Sequence, residues 1–494
     1  MKTSTLFVVV GINLVIFVVH YIWMVKDVGT YDTAKFQFIG YTLGVPHTSG
    51  YPLHTLLSWL FTNTLIIGEI AWRQNLLNLL FSIISLNFLF FILRQLSLSL
   101  FFSFLLVLLQ AFSLTFWYIS YQSEVYSLHI MLMSIVTFLV VRHYNTGNDN
   151  YYYYALCIFG LMFSNHLTSI CLFPGLLIYI LVRKWRLILN FKIYLYSALG
   201  ILLGMLPYLY IYARFYAPND VYVEMHVYDF NSFFNEITGG KFQGQLNTIN
   251  WEKLRTFQLP MTYKFFKSGE ISFLTLFFIF AYIKRNLSPL LIFLSVSVAF
   301  NIYFAISFDV YDPWGYYTPV YFLLLILVGI GIENLKQWFQ KINPSYAKAF
   351  ILIISVLLSY RLATIFKYNS KKIHQFTEKE DYHRAIAKKY LAALNEECIF
   401  IITSDQTWQT LHYLLQIKEK EKKITLIPIW YEREEFFQVH EYLKGKEYYD
   451  INFRNSIKPG LPVFLADKKW IPNFEKFGFK AIPQENGMYR LSTN

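Results

Sequence analysis

The chain has 494 residues, 55% apolar and 15% charged, with a mean hydropathy of +0.38. Those values exclude a soluble globular chain, because several apolar runs exceed the ~20 residues of helix that cross a hydrocarbon core. The net charge of +12 does not indicate nucleic acid. The basic residues fall between apolar runs or in the C-terminal tail, as membrane topology requires. Cys157, Cys171 and Cys398 have neither metal-ligand nor disulfide spacing.

The expected architecture is an α-helical polytopic membrane protein of about eleven spans with a small C-terminal α/β domain. The apolar runs lie near 6–25, 73–93, 98–118, 124–142, 151–165, 167–183, 193–213, 271–284, 287–307, 317–335 and 347–366. The first has a weakly basic start at Lys2 and no small-residue cleavage site before Asp27, which predicts a retained signal anchor. Leu53–Ile67 is too short and too polar at its start for a crossing, and is expected to be interfacial or re-entrant.

A cytoplasmic N-terminus puts Arg94, Arg142, Arg183, Lys184, Arg186, Lys284, Arg285 and Lys336 on the inner side. The first outer loop (26–72), the long loop (215–269) and the tail then lie on the extracytoplasmic face of a bacterial plasma membrane. The expected division is 1–366 for the membrane domain and 367–494 for the soluble one. In the tail, Cys398–Thr403, Ile424–Ile429 and Pro462–Ala466 read as strands, and Ser404 as the N-cap of a helix through Leu415. No Gly-rich phosphate loop accompanies them.

The first outer loop reads KDVGTYDTAKFQFIGYTLGVPHTSGYP from Lys26 to Pro52. After Asp32, the spacing of Phe36, Ile39, Gly40 and Leu43 predicts an amphipathic helix on the membrane surface. On spacing alone, Asp32 reads as that helix's N-cap. Two glycines and two prolines between Gly44 and Pro52 specify a turn. His47 within it is either a phosphate or sugar contact or a buried turn histidine. Arg73 heads the second span on the outer side, either binding a lipid phosphate or snorkelling to headgroups. Glu124 and His166 stand at outer span ends, where ionisable groups are costly unless paired or functional. In the long loop, Asp220, Glu224, His226, Asp229 and Glu236 fit no compact metal motif, and Lys241 could reach an anion.

Asp32-Thr-Ala-Lys-Phe-Gln followed by Leu43-Gly-Val-Pro-His-Thr-Ser-Gly-Tyr-Pro-Leu53 resembles a membrane-protein family signature. That signature is Asp-Ser-(Gly/Ala)-Glu-Phe, then Leu-Gly-(Val/Ile)-x-His-Pro-(Pro/Thr)-Gly-Tyr-Pro-Leu. Trp72–Leu77, Ser123–Leu128 and Ser164–Thr168 are similar to family segments in the same order. The resemblance covers roughly the first half of the chain. The animal members are protein O-mannosyltransferases acting on plexin-type receptor domains.

The resemblance implies a GT-C type glycosyltransferase. It would move a hexose, mannose in the first instance, from a polyprenyl phosphate to a protein Ser/Thr or glycan hydroxyl. Asp32 matches the family's acidic residue and is the expected base, with Glu124 a second carboxylate. Lys35, His47, Arg73 and His166 are the expected phosphate partners. No metal or other cofactor is expected beyond the lipid-linked donor; the bilayer and an acceptor are the expected partners. Lys35 departs from the family's Glu, which leaves three readings open: the second carboxylate is dispensable, Glu124 or Glu69 takes its part, or the donor is changed or activity lost. Two other functions stay open at this point: a flippase for lipid-linked sugars and a non-catalytic assembly protein.

Overall fold

The computed structural model describes residues 3–216, 222–225, 227–240, 251–267, 275–282, 288–308, 314–394, 397–402, 404–428, 461–476, 478–484 and 486–493. Asp220, His226, Lys241, Asp309, Asp312 and part of the expected span 271–284 lie outside them.

The first half contains α1 (Thr3–Trp23), α2 (Tyr31–Thr42), α3 (Pro52–Thr64), α4 (Ile70–Gln95), α5 (Leu100–Ala111), α6 (Leu114–Ser120), α7 (Val125–Thr146) and α8 (Asn150–Met162). A 3₁₀ turn at Leu167–Leu172 leads into α9 (Phe173–Lys184), and α10 (Phe191–Met205), α11 (Tyr208–Tyr216) and α12 (Phe230–Ile237) follow. The later long helices are α13 (Pro289–Ser307), α14 (Trp314–Ile342) and α15 (Pro344–Ala393), and α16 (Asp405–Tyr413) belongs to the C-terminal region.

Among the described residues, eight helical stretches are long and apolar enough to cross a membrane, or nine if the bent pair α5–α6 is one span. The sequence suggests about eleven. Part of the difference is α8, whose 13 residues fall short of a crossing although it packs between α7 and α10. The α5–α6 pair bends by 67°. Ser113 caps the second half by accepting from the Phe116 N–H, and the Phe112 carbonyl accepts from Asn369 on α15 at 2.7 Å. The break thus leaves these backbone groups satisfied, as a low-dielectric setting requires.

The spans divide into central and peripheral by composition. In α14, 89% of the most apolar window is buried, against 17% in the α10 span. Leu199, Ile201, Leu202 and Met205 of α10 point outward, an arrangement that only hydrocarbon solvates cheaply. The inner edge of α10 meets α8 at glycines: a Cβ on Gly160 would lie 2.2 Å from the Gly200 carbonyl carbon. Only the missing side chains allow that approach.

α3 has its polar side inward. His54, Thr55, Ser58 and Thr62 are buried, whereas Trp59 and Leu60 are exposed, as are Ile66 and Ile67 beyond its end. That is the pattern of a helix with its apolar face toward lipid. α2 differs from the expected surface helix: Thr33 to Gly40 are all buried. α3 and α4 cover part of it, and α16 from the C-terminal region covers the rest, a contact no local pattern encodes.

The C-terminal sheet has β1 (Cys398–Ile402), β2 (Ile424–Pro428), β3 (Val463–Leu465), β4 (Phe479–Pro483) and β5 (Tyr489–Thr493), ordered β2-β1-β3-β5-β4. β1 pairs in parallel with β2 and β3, while β5 pairs antiparallel with β3 and β4. Ser404 caps α16, accepting from the Thr407 N–H. The composition shift near Phe366–Lys372 falls inside α15, which continues unbroken to Ala393. Charged residues there keep good helix propensity, so the shift marks a change of surroundings rather than an end of the helix.

Candidate active site

Asp32 lies in the first turn of α2, after Thr30 at the N-cap position and Tyr31 at φ 46°. Thr30 makes no side-chain cap, and Asp32 does not act as one; its Oδ1 meets Lys35 Nζ at 2.9 Å. The Asp32 side chain is 45% exposed, whereas that of Lys35 is 5% exposed.

Lys35 has three N–H donors. They meet Asp32, the Glu224 carboxylate at 3.0 Å and His47 Nδ1 at 3.1 Å. An ammonium so occupied has no donor left for a phosphate, and acts instead as the clamp of its neighbours. Because Lys35 donates to Nδ1, the His47 proton lies on Nε2, which faces the Tyr51 hydroxyl at 3.1 Å.

The charges follow from this packing. Desolvation pushes the Asp32 carboxyl up, but the Lys35 charge beside it outweighs that and holds it at about 2. Glu224 is likewise raised by burial and brought below its ordinary value by Lys35. Burial lowers Lys35, and Asp32 and Glu224 more than reverse that, leaving it above its ordinary value. Both carboxylates are therefore ionised and act only as acceptors.

Glu224 arrives through a short parallel bridge between Val45 and Val223. Val45 N–H donates to the Tyr222 carbonyl at 2.8 Å, and Glu224 N–H to the Val45 carbonyl at 2.9 Å. Thr48 donates to the buried Glu236 of α12, a second link between the His47 turn and this segment.

α4 supplies the frame. Asn75 accepts from Gln37 of α2 at 3.1 Å and donates to the Val25 carbonyl at 2.8 Å. One turn on, Asn78 donates to the Gln122 carbonyl at 3.1 Å and accepts from Ser127 at 2.8 Å. These two amides fix the segments that carry Asp32 and Glu124 on one helix. Ser164 and Asn165 join them through Leu53 N–H to the Ser164 carbonyl and Asn165 to the Val125 carbonyl, at 3.0 and 3.1 Å.

A cavity of about 580 Å³ results. Asp32, His47, Thr48, Ser49, Glu124 and His166 supply its polar wall, and Phe36, Tyr51, Tyr118, Tyr126, Phe304, Phe308 and Tyr316 its aromatic one. That volume suits a small organic group, and aromatic walls with a few convergent polar groups are typical of such sites. His166 Nδ1 accepts from the Thr168 N–H at 3.3 Å, which leaves Nε2 as the protonated nitrogen. Among the described residues no cluster of three or more His, Cys, Asp or Glu could hold a metal.

Asp32, Glu124, His47 and His166 thus share one cavity, with Lys35 behind Asp32. Arg73 does not line it: its guanidinium donates to the carbonyls of Thr62, Ile66, Ile67 and Gly68. These are the orphan acceptors at the end of α3 and the turn after it. Glu69 is also elsewhere, paired with Lys418. Sequence reasoning missed Glu224 as the partner of Lys35, along with Gln37, Asn75, Asn78 and Tyr316. The only available signal was the run of Gln74, Asn75, Asn78, Ser82 and Ser85 down one side of an apolar helix.

Residues 32–189 match the family model described as the protein O-mannosyl-transferase TMEM260 N-terminal domain. A mouse (Mus musculus) relative, protein O-mannosyl-transferase TMEM260, is 30% identical over 188 residues, covering 36% of this chain and 26% of that protein. The match therefore spans about a quarter of the relative's length. Crystal structures of ArnT from Cupriavidus metallidurans share the fold across 99% of this chain and 98% of theirs. The apo form has a TM-score of 0.64 at 15% identity, and the form bound to undecaprenyl phosphate 0.60 at 13%. In its segment 32–189 the chain is thus similar to the protein O-mannosyl-transferase TMEM260 N-terminal domain, and over nearly its whole length it shares the fold of ArnT.

Proposed function

We propose that this protein is a membrane glycosyltransferase that moves a hexose, mannose in the favoured reading, from a polyprenyl phosphate to a protein Ser/Thr or glycan hydroxyl on the extracytoplasmic face. The single observation that carries the reading is Asp32: an ionised, half-exposed carboxylate on the wall of an aromatic cavity, clamped from behind by Lys35. The ArnT complex with undecaprenyl phosphate supports a lipid-linked donor on this fold. The TMEM260 match supports the sugar and the acceptor class.

In this reading the acceptor oxygen bonds to the anomeric carbon as the bond from that carbon to the phosphate oxygen breaks. The hydroxyl proton passes to Asp32, and the phosphate leaves with the bonding electrons. A carboxylate held at about 2 is a weak base toward a free alcohol. The hydroxyl becomes strongly acidic only once its oxygen has bonded to the anomeric carbon, so a late transfer suits Asp32. The Lys35 clamp keeps its geometry fixed, and the attack from the face opposite the phosphate inverts the sugar. His166 Nε2–H and the Ser49 hydroxyl are the donors that the cavity wall offers to the charge developing on the phosphate. Aromatic rings lining the cavity offer apolar faces to the sugar's C–H groups. No metal enters the scheme.

Purified protein given a polyprenyl-phosphate hexose and a Ser/Thr peptide tests this directly. Asp32→Asn keeps the shape but removes the base, and transfer is expected to fall roughly 10²–10⁴-fold. Wild-type transfer rates in Asp32→Asn would remove Asp32 from the reaction.

A further inference from the structure

We propose that the C-terminal region is a positioning device for Asp32, acting through Arg384 and Thr410 on the backbone that enters α2. The proposal rests on the transferase reading for its kinetic consequence, but its geometry stands separately.

The segment Asp27–Thr30 and the start of α2 have few ladder or helix bonds of their own. Groups from α15 and α16 hold them nearly residue by residue. Arg384 Nε donates to the Val28 carbonyl at 2.7 Å, and Thr410 Oγ1 to the Gly29 carbonyl at 2.9 Å. Thr30 Oγ1 donates to the buried Glu380 at 2.8 Å, and Gln406 donates to the Tyr31 hydroxyl.

The next residue is Asp32. Tyr31 has φ 46°, a left-handed conformation that a bulky L residue adopts only when its surroundings impose it. The surroundings that impose it here come from sequence positions near 380–410. The same contact continues on the far side of α2, where Phe38 packs against Tyr222 and His412. An independently tethered interaction module would not bury side chains against the helix that carries the candidate base. The C-terminal region instead fixes the angle at which α2, and with it Asp32, faces the cavity.

Such a role predicts a particular kinetic signature. A displacement near 1 Å at a reacting group costs on the order of 10²-fold in rate without loss of substrate affinity. The test uses the full chain in lipid nanodiscs, with Thr410→Val and Arg384→Leu as the disrupting variants. Thr410→Ser is the conservative rescue, since it keeps the hydroxyl. Tyr390→Phe is the control, because Tyr390 donates to the Ala466 carbonyl within the C-terminal region itself.

Hydrogen exchange of the amides from Gly29 to Phe36 is the first readout, and the split between kcat and KM for the donor is the second. Thr410→Val and Arg384→Leu are expected to speed exchange in that window only, with kcat falling roughly 10–100-fold at unchanged KM. Thr410→Ser and Tyr390→Phe are expected to match wild type. Unchanged exchange in both disrupting variants overturns the proposal, as does a rise across the whole sheet in both. If Thr410→Val alone loosens the sheet, Arg384→Leu decides. A wild-type protein with no transferase activity would count against the transferase reading, while the exchange contrast would still decide the positioning role.

Discussion

Glu224 Oε2 lies 3.0 Å from Lys35 Nζ although 189 residues separate them in the chain. Lys35 stands where the resembled family signature has Glu, so on sequence alone the site has lost a carboxylate. A second carboxylate, Glu224, comes in from the long loop, and Lys35 bridges it to Asp32. The pair of acidic groups persists, with a cation between them.

This bridge predicts the pH dependence of activity. In Lys35→Met, burial and the nearby Glu224 act on Asp32 without the cation that offsets them. Its carboxyl should rise from about 2 to above the usual 3.8. Asp32 then protonates at higher pH, and the acid limb of kcat/KM should move upward in a pH–rate profile. An acid limb in the same place would mean that Lys35 does not set the charge state of Asp32.

The exchanged pair Lys35→Glu with Glu224→Lys tests the same bridge by a double-mutant cycle. Each single change puts like charges together and should lower both stability and activity. The double variant should recover part of both, with a coupling of about 0.5–3 kcal/mol, as for residues in one ion-pair network. Thermal unfolding in detergent gives the stability half of the cycle, and losses that simply add would deny the coupling.

Acid stability provides a further check. Asp32 and Glu224 have folded values below their unfolded ones, so their contribution is complete above an unfolded value of about 4 and is lost as pH falls through the folded value. Lys35 is raised, so its contribution is complete below about 10.4 and fades only as pH rises past its folded value. The cluster is therefore intact from about pH 5 to pH 10. The Tm gap between wild type and the double variant Asp32→Asn, Glu224→Gln should be wide near neutral pH and close as pH falls toward about 2. A gap that persists at the acid end would place the stabilisation outside these charges.

Much of this arrangement was legible in the sequence because it is local. Apolar length marked the spans, the Gly/Pro turn fixed the surroundings of His47, and ordered motifs singled out Asp32, Glu124 and His166, which do share a cavity. What escaped is non-local. The burial of α2 depends on α16, more than 360 positions away, so an apolar stripe read as a surface helix. Glu224 reached the site through a two-residue bridge that leaves no periodic pattern. Arg73 illustrates the converse: a cation at a span end looks like a phosphate ligand until its guanidinium is traced to the carbonyls of Thr62, Ile66, Ile67 and Gly68.

Arg73→Ala separates those two roles. A phosphate ligand would show its loss as a higher KM for the donor. The observed geometry instead leaves the carbonyls of Thr62, Ile66, Ile67 and Gly68 without their donor, at a cost of about 1–3 kcal/mol. The expected result is a lower Tm with an unchanged donor KM. A raised KM at unchanged Tm would return Arg73 to the binding machinery.

Gly40 tests how closely α2 must lie against its neighbours. A Cβ there would be 2.3 Å from Gln74 Nε2 and 2.8 Å from Ser58 Cβ, and so would meet α4 and α3 together. The Gln74 amide can swing aside, but the Ser58 contact is close to the helix backbone, so α2 itself must shift. Overpacking of this kind costs about 1–3 kcal/mol. The shift runs along the helix that carries Asp32 and Lys35, so activity should suffer beyond what lost stability explains. Gly40→Ala is expected to lower Tm and to reduce kcat at a temperature where the protein remains fully folded. A variant with reduced Tm but wild-type kcat at that temperature would show that the α2–α3–α4 contact serves stability alone, and that Asp32 tolerates displacement of its helix.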